Sequence, residues 1–289
     1  MVDMKKQEEM MKKDWDNLIV LDACRYDYFK KVYKDYFEEG KLEKVDSEAY
    51  ETSAWLKNRF LGKYFDKTIY ISGTPHVNSV GVNFMKGFDA SDHFEKIIDV
   101  WDFGWSEDFG GIPPKAVGET TKRVMNKYPE KKIISHFNQP HYPYVGYKPV
   151  IKSKETGMIE AKRMKEGEKE LIYNKIKKVL RKVLGKKRMK KIVYSPYVKK
   201  IIKHISVGGK GKKPIEIFVE KHNKKTLLEA YEKNLRSALE EIKEIVNKSP
   251  NKKTIITADH GELLGEEEKY GHGHEDKKLR EVPWFEIYP

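Results

Sequence analysis

Short uninterrupted apolar runs, many of them rich in β-branched residues, alternate along the chain with stretches of helical periodicity. The runs predict five strands: Asn17–Asp22, Lys67–Ile71, Lys96–Trp101, Lys132–His136 and Lys253–Thr257. The stretches between them predict four helices: Tyr26–Glu39, Ser53–Leu61, Pro114–Tyr128 and Lys225–Val246. Strands that alternate with helices are typical of parallel pairing through right-handed crossovers. The predicted fold class is therefore α/β, with a mainly parallel sheet flanked by helices.

Two parts of the chain depart from this rhythm. The C-terminal run "VPWFEIYP" predicts one more strand, and its Pro283 indicates an edge position, because proline removes a ladder donor. Between Gly146 and Lys224 the alternation stops, and Glu160–Leu184 is predicted to be helical and basic. We therefore interpret residues 1–289 as a single α/β domain that carries a basic, largely helical insertion at 146–224.

Charge is distributed unevenly along the 289 residues. The chain has 58 Lys and Arg against 45 Asp and Glu, a net charge of +13. Residues 151–230 alone hold 25 basic against 8 acidic side chains, so the remainder is mildly acidic. The basic segment is either a solvated lysine-rich face or a surface that attracts an anionic substrate, an anionic glycan, a lipid surface or a nucleic acid. Composition leaves the oligomeric state open.

Composition also bears on the compartment. No apolar run approaches the roughly 20 residues that span a bilayer, and the first 15 residues lack the apolar core of a secretory signal. The single cysteine, Cys24, excludes an internal disulfide and fits a reducing environment. These features predict a cytoplasmic location.

Two of the predicted strands end in a carboxylate, Asp22 and Asp259, and the second is followed by His260. Ligands of parallel α/β sheets bind beyond the carboxyl ends of the strands, although each aspartate is also a good helix N-cap. Further polar candidates follow another strand end or lie near the C-terminus: Asn138, His141, His272 and His274. A mixture of oxygen and nitrogen donors suits Zn²⁺ or Mn²⁺ better than Ca²⁺.

Four segments carry a family resemblance: "NLIVLDACRYD", "TSAWL", "HFNQPHYPY" and "TADHGELLGE…YGHGH…LREVPW". In this order, from residue 17 to 284, they resemble the sulfatase-like branch of the alkaline phosphatase superfamily. The resemblance implies a three-layer sandwich and a metal-dependent hydrolase of phosphate or sulfate esters. Two alternatives remain: a phospho-headgroup transferase of the same superfamily, and an inactive scaffold whose basic insertion binds nucleic acid or anionic membrane.

The resemblance also assigns roles to residues. It implies that Asp22, Asp259 and His260 hold a divalent metal, Zn or Mn before Mg or Ca, and that Thr52 is both a metal ligand and the nucleophile, with Ser53 as second choice. The chemistry is sound, because a helix N-terminus favours an incoming anion and a bound metal lowers the pKa of a hydroxyl.

A second ion is left open. His141 and His272 match two of the ligands that two-metal members use, but Asn138 stands where the resemblance leads us to expect a carboxylate. The chain is therefore predicted to hold one ion or two. Asn138, His141 and His274 are predicted to contact the substrate anion, and so is Arg25, unless it forms an ion pair with a neighbouring acid.

Overall fold

The computed structural model describes residues 4–81, 87–149 and 212–289. Met1–Val150 and Lys213–Pro289 form one compact unit, the first unit, and residues 151–212 are not part of it. The predicted basic helix Glu160–Leu184 lies outside the described residues. The division into one α/β domain with an insertion at 146–224 stays a prediction, although helix Pro214–His222 belongs to the first unit.

The described residues contain a seven-stranded mixed sheet in the order β2-β9-β6-β1-β5-β3-β4, and a separate hairpin, β7-β8. The strands are β1 Asn17–Asp22, β2 Lys41–Asp46, β3 Phe65–Ser72, β4 Phe94–Asp99, β5 Lys132–Pro140, β6 Thr254–Ala258, β7 Leu263–Glu266, β8 Lys269–Gly271 and β9 Glu281–Ile287. Within the seven-stranded sheet, β9 pairs antiparallel with β2 and β6, and all other pairs are parallel. The predicted, mainly parallel α/β sheet is confirmed.

Eight α-helices accompany the strands in the described part of the chain. They are α1 Gln7–Met11, α2 Tyr26–Val32, α3 Thr52–Phe60, α4 Val100–Phe103, α5 Pro114–Lys127, α6 Pro214–His222, α7 Lys224–Asn247 and α8 Lys277–Arg280. The four predicted helices are all present, but the first ends at Val32 and a 3₁₀ turn, Tyr33–Asp35, follows it. Helix α7 begins where the Asn223 side chain accepts the Thr226 N–H, an N-cap hydrogen bond made from a residue with a φ of 77°.

Helices cover both faces of the sheet, as alternate side chains of β5 show. The Ser135 hydroxyl is hydrogen-bonded to Thr121 of α5 at 2.8 Å, whereas the next residue, His136, packs its ring against Trp55 of α3. Because successive strand residues point to opposite faces, α5 and α3 lie on opposite sides of the sheet. Strand β1 pairs with β5 in the same sheet and is buried on both faces, which explains its continuous apolar run.

The C-terminal strand is not at an edge, as Pro283 had indicated; β9 lies between β2 and β6. The Pro283 carbonyl accepts the Thr257 hydroxyl at 2.7 Å, so the Pro283 nitrogen also faces β6. Pro283 lies just beyond the last backbone pair of β6 and β9, which is Thr257 with Trp284, so its missing N–H costs the sheet no hydrogen bond. The edge is β2, whose half-exposed "KLEKVD" the sequence analysis did not predict as a strand.

The side chain of Gln7 joins the N-terminal helix to the two elements that carry the site. Its amide donates to the Thr257 hydroxyl at 2.7 Å and to the Ala258 carbonyl at 2.8 Å, and its oxygen accepts from Trp55 Nε1 at 2.7 Å. We expect Gln7→Leu to lower the free energy of unfolding by about 2–3 kcal/mol, because it leaves buried partners unpaired. Urea unfolding measures this; the exposed neighbour Glu9→Leu should change it by less than about 0.5 kcal/mol.

Candidate active site

The carboxyl ends of β1 and β6 and the start of α3 bring four predicted residues together. Ligand atoms of Asp22, Asp259 and His260 all lie within 4.8 Å of one another. Thr52, the first residue of α3, donates its hydroxyl to Asp259 Oδ2 at 2.7 Å and lies 3.3 Å from His260 Nε2. These residues, up to 238 positions apart along the chain, form what we call the first group.

Backbone contacts orient the ligand atoms of the first group. Asp259 Oδ1 accepts the N–H of Ala23 at 3.1 Å and of His260 at 2.8 Å, so Oδ2 is the atom turned to Thr52. The Nδ1 atom of His260 lies 2.7 Å from the Gly261 carbonyl, which can only accept, so Nδ1 carries the proton. The lone pair of His260 Nε2 therefore faces Asp22 and Asp259, each 3.6 Å away.

A divalent cation fits the first group. Asp22 Oδ1 is buried and has no hydrogen-bond partner among the described residues. Burial, with the charges of Asp259 and Glu262, holds the pKa of Asp22 well above its usual range, and burial beside His272 lowers the pKa of His260 well below its own. Crowded carboxylates next to an unprotonated imidazole are the donor set that Zn²⁺ or Mn²⁺ takes.

Three further residues form a second group, of which the sequence analysis identified only the histidines. Ligand atoms of His141, Glu262 and His272 lie within 4.8 Å of one another, with His272 Nδ1 2.9 Å from Glu262 Oε1. Glu262, which the sequence analysis did not name, places a carboxylate beside the two histidines. The His260 and His272 rings, 4.6 Å apart between centroids, place the two groups side by side.

Glu262 and His272 shift each other's pKa. Burial opposes the charge on His272, but the adjacent Glu262 outweighs it and raises the pKa of His272 above its usual value. Burial would likewise raise the pKa of Glu262, yet His272 and the other nearby imidazoles lower it. In the metal-free protein each of the two side chains therefore favours the charged form of the other.

We expect Glu262→Gln to lower the pKa of His272, because burial then acts without the nearest opposing carboxylate. A titration of the histidine ring signals by NMR in the metal-free protein measures this. Glu266→Gln is the matched control, since Glu266 pairs with Arg25 instead of a histidine. An unchanged His272 pKa in Glu262→Gln would contradict the pairing.

The other predicted site residues lie around the two groups. Asn138 is buried at the end of β5, with its Oδ1 close to Gly73. Arg25 is paired with Asp27 at 2.6 Å and with Glu266 at 2.5 Å, which is the ion-pair alternative. His274 is outside both groups, where its Nε2 meets the ammonium of Lys213 at 2.8 Å. The hydroxyl of Ser53, the second candidate nucleophile, is hydrogen-bonded to Glu51 and not to the first group.

A second residue that the sequence analysis missed is His136, which it placed only as the end of a strand. The ring is fully buried, Nδ1 is hydrogen-bonded to the Tyr70 hydroxyl at 2.8 Å, and Nε2 lies 3.8 Å from Asp259 Oδ2. Burial lowers the pKa of His136 to about 4, so the ring is neutral. The feature of the sequence that could have identified His136 is its position five residues before His141, at the end of the predicted strand Lys132–His136.

No protein-family model matches the sequence, and no curated protein is detectably similar to it. Among solved structures, the soluble domain of lipooligosaccharide phosphoethanolamine transferase A from Neisseria meningitidis is similar, with a TM-score of 0.52 and 13% identity. The match covers 99% of this chain and 78% of that one. The two chains share one fold. The integral membrane protein of the same name, also from Neisseria meningitidis, has the same TM-score of 0.52 and the same 13% identity. That match covers 98% of this chain and 48% of the membrane protein.

The likeness confirms the expected α/β fold, a mainly parallel sheet flanked by helices. At 13% identity it carries no argument about individual residues. None of the described helices combines the length and hydropathy that a bilayer crossing requires. The predicted cytoplasmic location gains no support from these neighbours and stays a prediction.

Proposed function

We propose that the chain is a divalent-metal-dependent enzyme that transfers a phosphoryl or sulfuryl group from an ester by way of Thr52. The observation that carries the proposal is the placement of one buried hydroxyl: Thr52 Oγ1 lies 2.7 Å from Asp259 Oδ2 and 3.3 Å from His260 Nε2, at the N-terminus of α3. A hydroxyl that only capped this helix would have no need of a carboxylate and an imidazole from another strand.

The first group has the parts that a covalent mechanism needs. Asp22, Asp259, His260 and Thr52 would hold the cation, which supplies the positive charge that lowers the pKa of the hydroxyl and balances the anion. Thr52 Oγ1 attacks the phosphorus or sulfur, and its proton passes to solvent water. The bond to the ester oxygen breaks, and that oxygen leaves with the bonding electrons and takes its proton from solvent water. The α3 N-terminus stabilises the bound anion.

The second group lies where the rest of the anion would sit. His141 and His272, with Glu262 between them, form a donor set that either holds a second cation or, as imidazoles, donates hydrogen bonds to the anionic oxygens. In both cases these side chains bind and orient the group that Thr52 attacks. We propose Asn138, at the end of the adjacent strand, as a further contact to it.

The acceptor in the second step distinguishes a hydrolase from a transferase. Water attacking the modified Thr52 gives ester hydrolysis, whereas an alcohol gives transfer. The fold shared with a phosphoethanolamine transferase domain supports a phosphate ester as the donor and keeps transfer to an alcohol as the alternative.

Purified protein assayed with Mn²⁺ or Zn²⁺ tests the proposal. The substrates are p-nitrophenyl phosphate, its phosphodiester analogue and p-nitrophenyl sulfate, each with and without an added alcohol. We expect metal-dependent release of p-nitrophenol that a chelator abolishes. A new ester of the added alcohol identifies a transferase. No turnover of any of the three esters with either metal would contradict the proposal.

A further inference from the structure

The turn directly after β1 adopts an unusual conformation. Ala23 has a φ of 61°, a left-handed region that residues with a Cβ seldom occupy. This conformation directs the Ala23 N–H to Asp259 Oδ1 at 3.1 Å, while the preceding residue, Asp22, contributes its carboxylate to the first group. The geometry of the first group therefore depends on a residue held in a strained state.

A single buried hydroxyl holds this turn. Tyr231, on α7, donates its hydroxyl to the Ala23 carbonyl at 2.6 Å and accepts the Arg25 N–H at 3.0 Å. The Tyr231 side chain is fully buried, so water does not compete for these two bonds. The hydroxyl thus bridges the two sides of the strained turn and opposes its relaxation toward negative φ.

Three residues further along α7, Asn234 does the same for the second group. Its Nδ2 atom donates to the carbonyls of Pro140, His141 and Pro143, at 3.2, 2.9 and 2.8 Å. Its Oδ1 atom accepts the Val145 N–H at 2.8 Å. Residues i and i+3 share a helix face, so one face of α7 holds both the Asp22 turn and the His141 loop.

We propose that Tyr231 and Asn234 are positioning residues through which α7 fixes the first group against the second. The two loops also meet directly, since the His141 N–H donates to the Asp22 carbonyl at 3.2 Å. Neither Tyr231 nor Asn234 contributes a ligand atom to either group; each acts on the backbone beside one. The inference rests on the proposed metal function of the first group.

Zinc binding to the metal-free protein, titrated against a competing chelator, tests the role of Tyr231 without an activity assay. Tyr231→Phe keeps the ring and removes the hydroxyl. We expect it to weaken zinc binding about tenfold, because residues that hold metal ligands in place without binding the metal have effects of this size. Adding Ala23→Gly should restore the affinity to within about threefold, because glycine adopts positive φ without strain. A residue that only added to overall stability would show no such recovery.

The control is Tyr28→Phe, which removes a hydroxyl from a ring packed 4.9 Å from Tyr231 and should leave zinc affinity unchanged. An unchanged affinity in Tyr231→Phe, or a loss that Ala23→Gly does not recover, overturns the proposal. If the single variant does not fold, the double variant decides: affinity close to wild type supports the proposal and a tenfold loss overturns it. Wild-type protein that binds neither zinc nor manganese refutes the proposed function itself, a separate result.

Asn234→Ser, which keeps one donor and one acceptor, tests the other half. We expect the NMR ring signals of His141 to move while those of His260 stay in place, because Asn234 holds only the loop of the second group. Equal movement of both rings, or of neither, would overturn the assignment of Asn234.

Discussion

Thr52→Ala should reduce kcat for a phosphate or sulfate ester by about 10³-fold or more, since it removes the atom that attacks. Zinc binding should weaken much less, because Asp22, Asp259 and His260 remain as ligands. Thr52→Ser retains the hydroxyl and should keep a measurable part of the activity. Steady-state kinetics together with a chelator-competition titration separates the two effects.

The adjacent hydroxyl offers a matched control for this experiment. Ser53→Ala also removes a hydroxyl from the first turn of α3, but from one bonded to Glu51 and directed away from the first group. It should leave kcat within about twofold of wild type, as surface substitutions usually do. A full rate in Thr52→Ala, or an equal loss in Ser53→Ala, would remove Thr52 from the mechanism.

Asp259→Asn should weaken zinc binding by more than about 100-fold. Loss of a residue that only supports a metal ligand costs at most about 100-fold, and we propose that Asp259 is itself a ligand. The amide keeps an oxygen for the Ala23 and His260 N–H groups, so the fold is retained, but it binds a cation poorly. Activity should be lost in parallel. The matched control is Asp14→Asn. Asp14 is 92% exposed and lies three residues before the first residue of β1, at the other end of the strand from Asp22, so this variant should bind zinc as the wild type does.

The same substitution has the opposite effect on the metal-free protein. The pKa of Asp22 is raised by burial and by the charge of Asp259, so this group destabilises the folded state at pH values above its unfolded pKa. The penalty is absent below the unfolded pKa of Asp22 and grows with pH until the raised folded pKa is passed. Metal-free Asp259→Asn should therefore unfold at pH 7 at a temperature no lower than wild type, by calorimetry. A markedly lower temperature would show that the carboxylates do not repel each other.

The sequence predicted the sheet, because strands buried on both faces must be apolar, and it predicted which strand ends carry acids. The half-exposed β2 escaped detection because only Leu42 and Val45 of its six residues are apolar, and they lie three positions apart instead of alternating with charged residues. Pro283 was misread because the position of β9 depends on its neighbours, which a single segment does not reveal.

The sequence predicted the site residues that follow the ends of strands. It missed residues whose side chains are directed to the site only by the tertiary structure. Asp22, Asp259, His260 and Thr52 do meet, whereas their roles as ligands and nucleophile stay predictions. Glu262 is visible in "DHGE", yet only the turn before β7 directs it to His272. Tyr231 lies within the predicted helix Lys225–Val246, and the periodicity of that helix does not distinguish a hydroxyl that binds the backbone from a ring that only packs.

The central strand has consequences for biosynthesis. Asn17 and Thr254 are neighbours in the sheet although 237 residues separate them, and β5 completes the other side of β1. Pairing over such distances is slow, because long loops must close first. A nascent chain on the ribosome therefore exposes β1 until β6 emerges, and until then Asp22 has neither Asp259 nor His260 beside it. The metal binding that we propose for the first group would therefore follow the synthesis of residues 254–260.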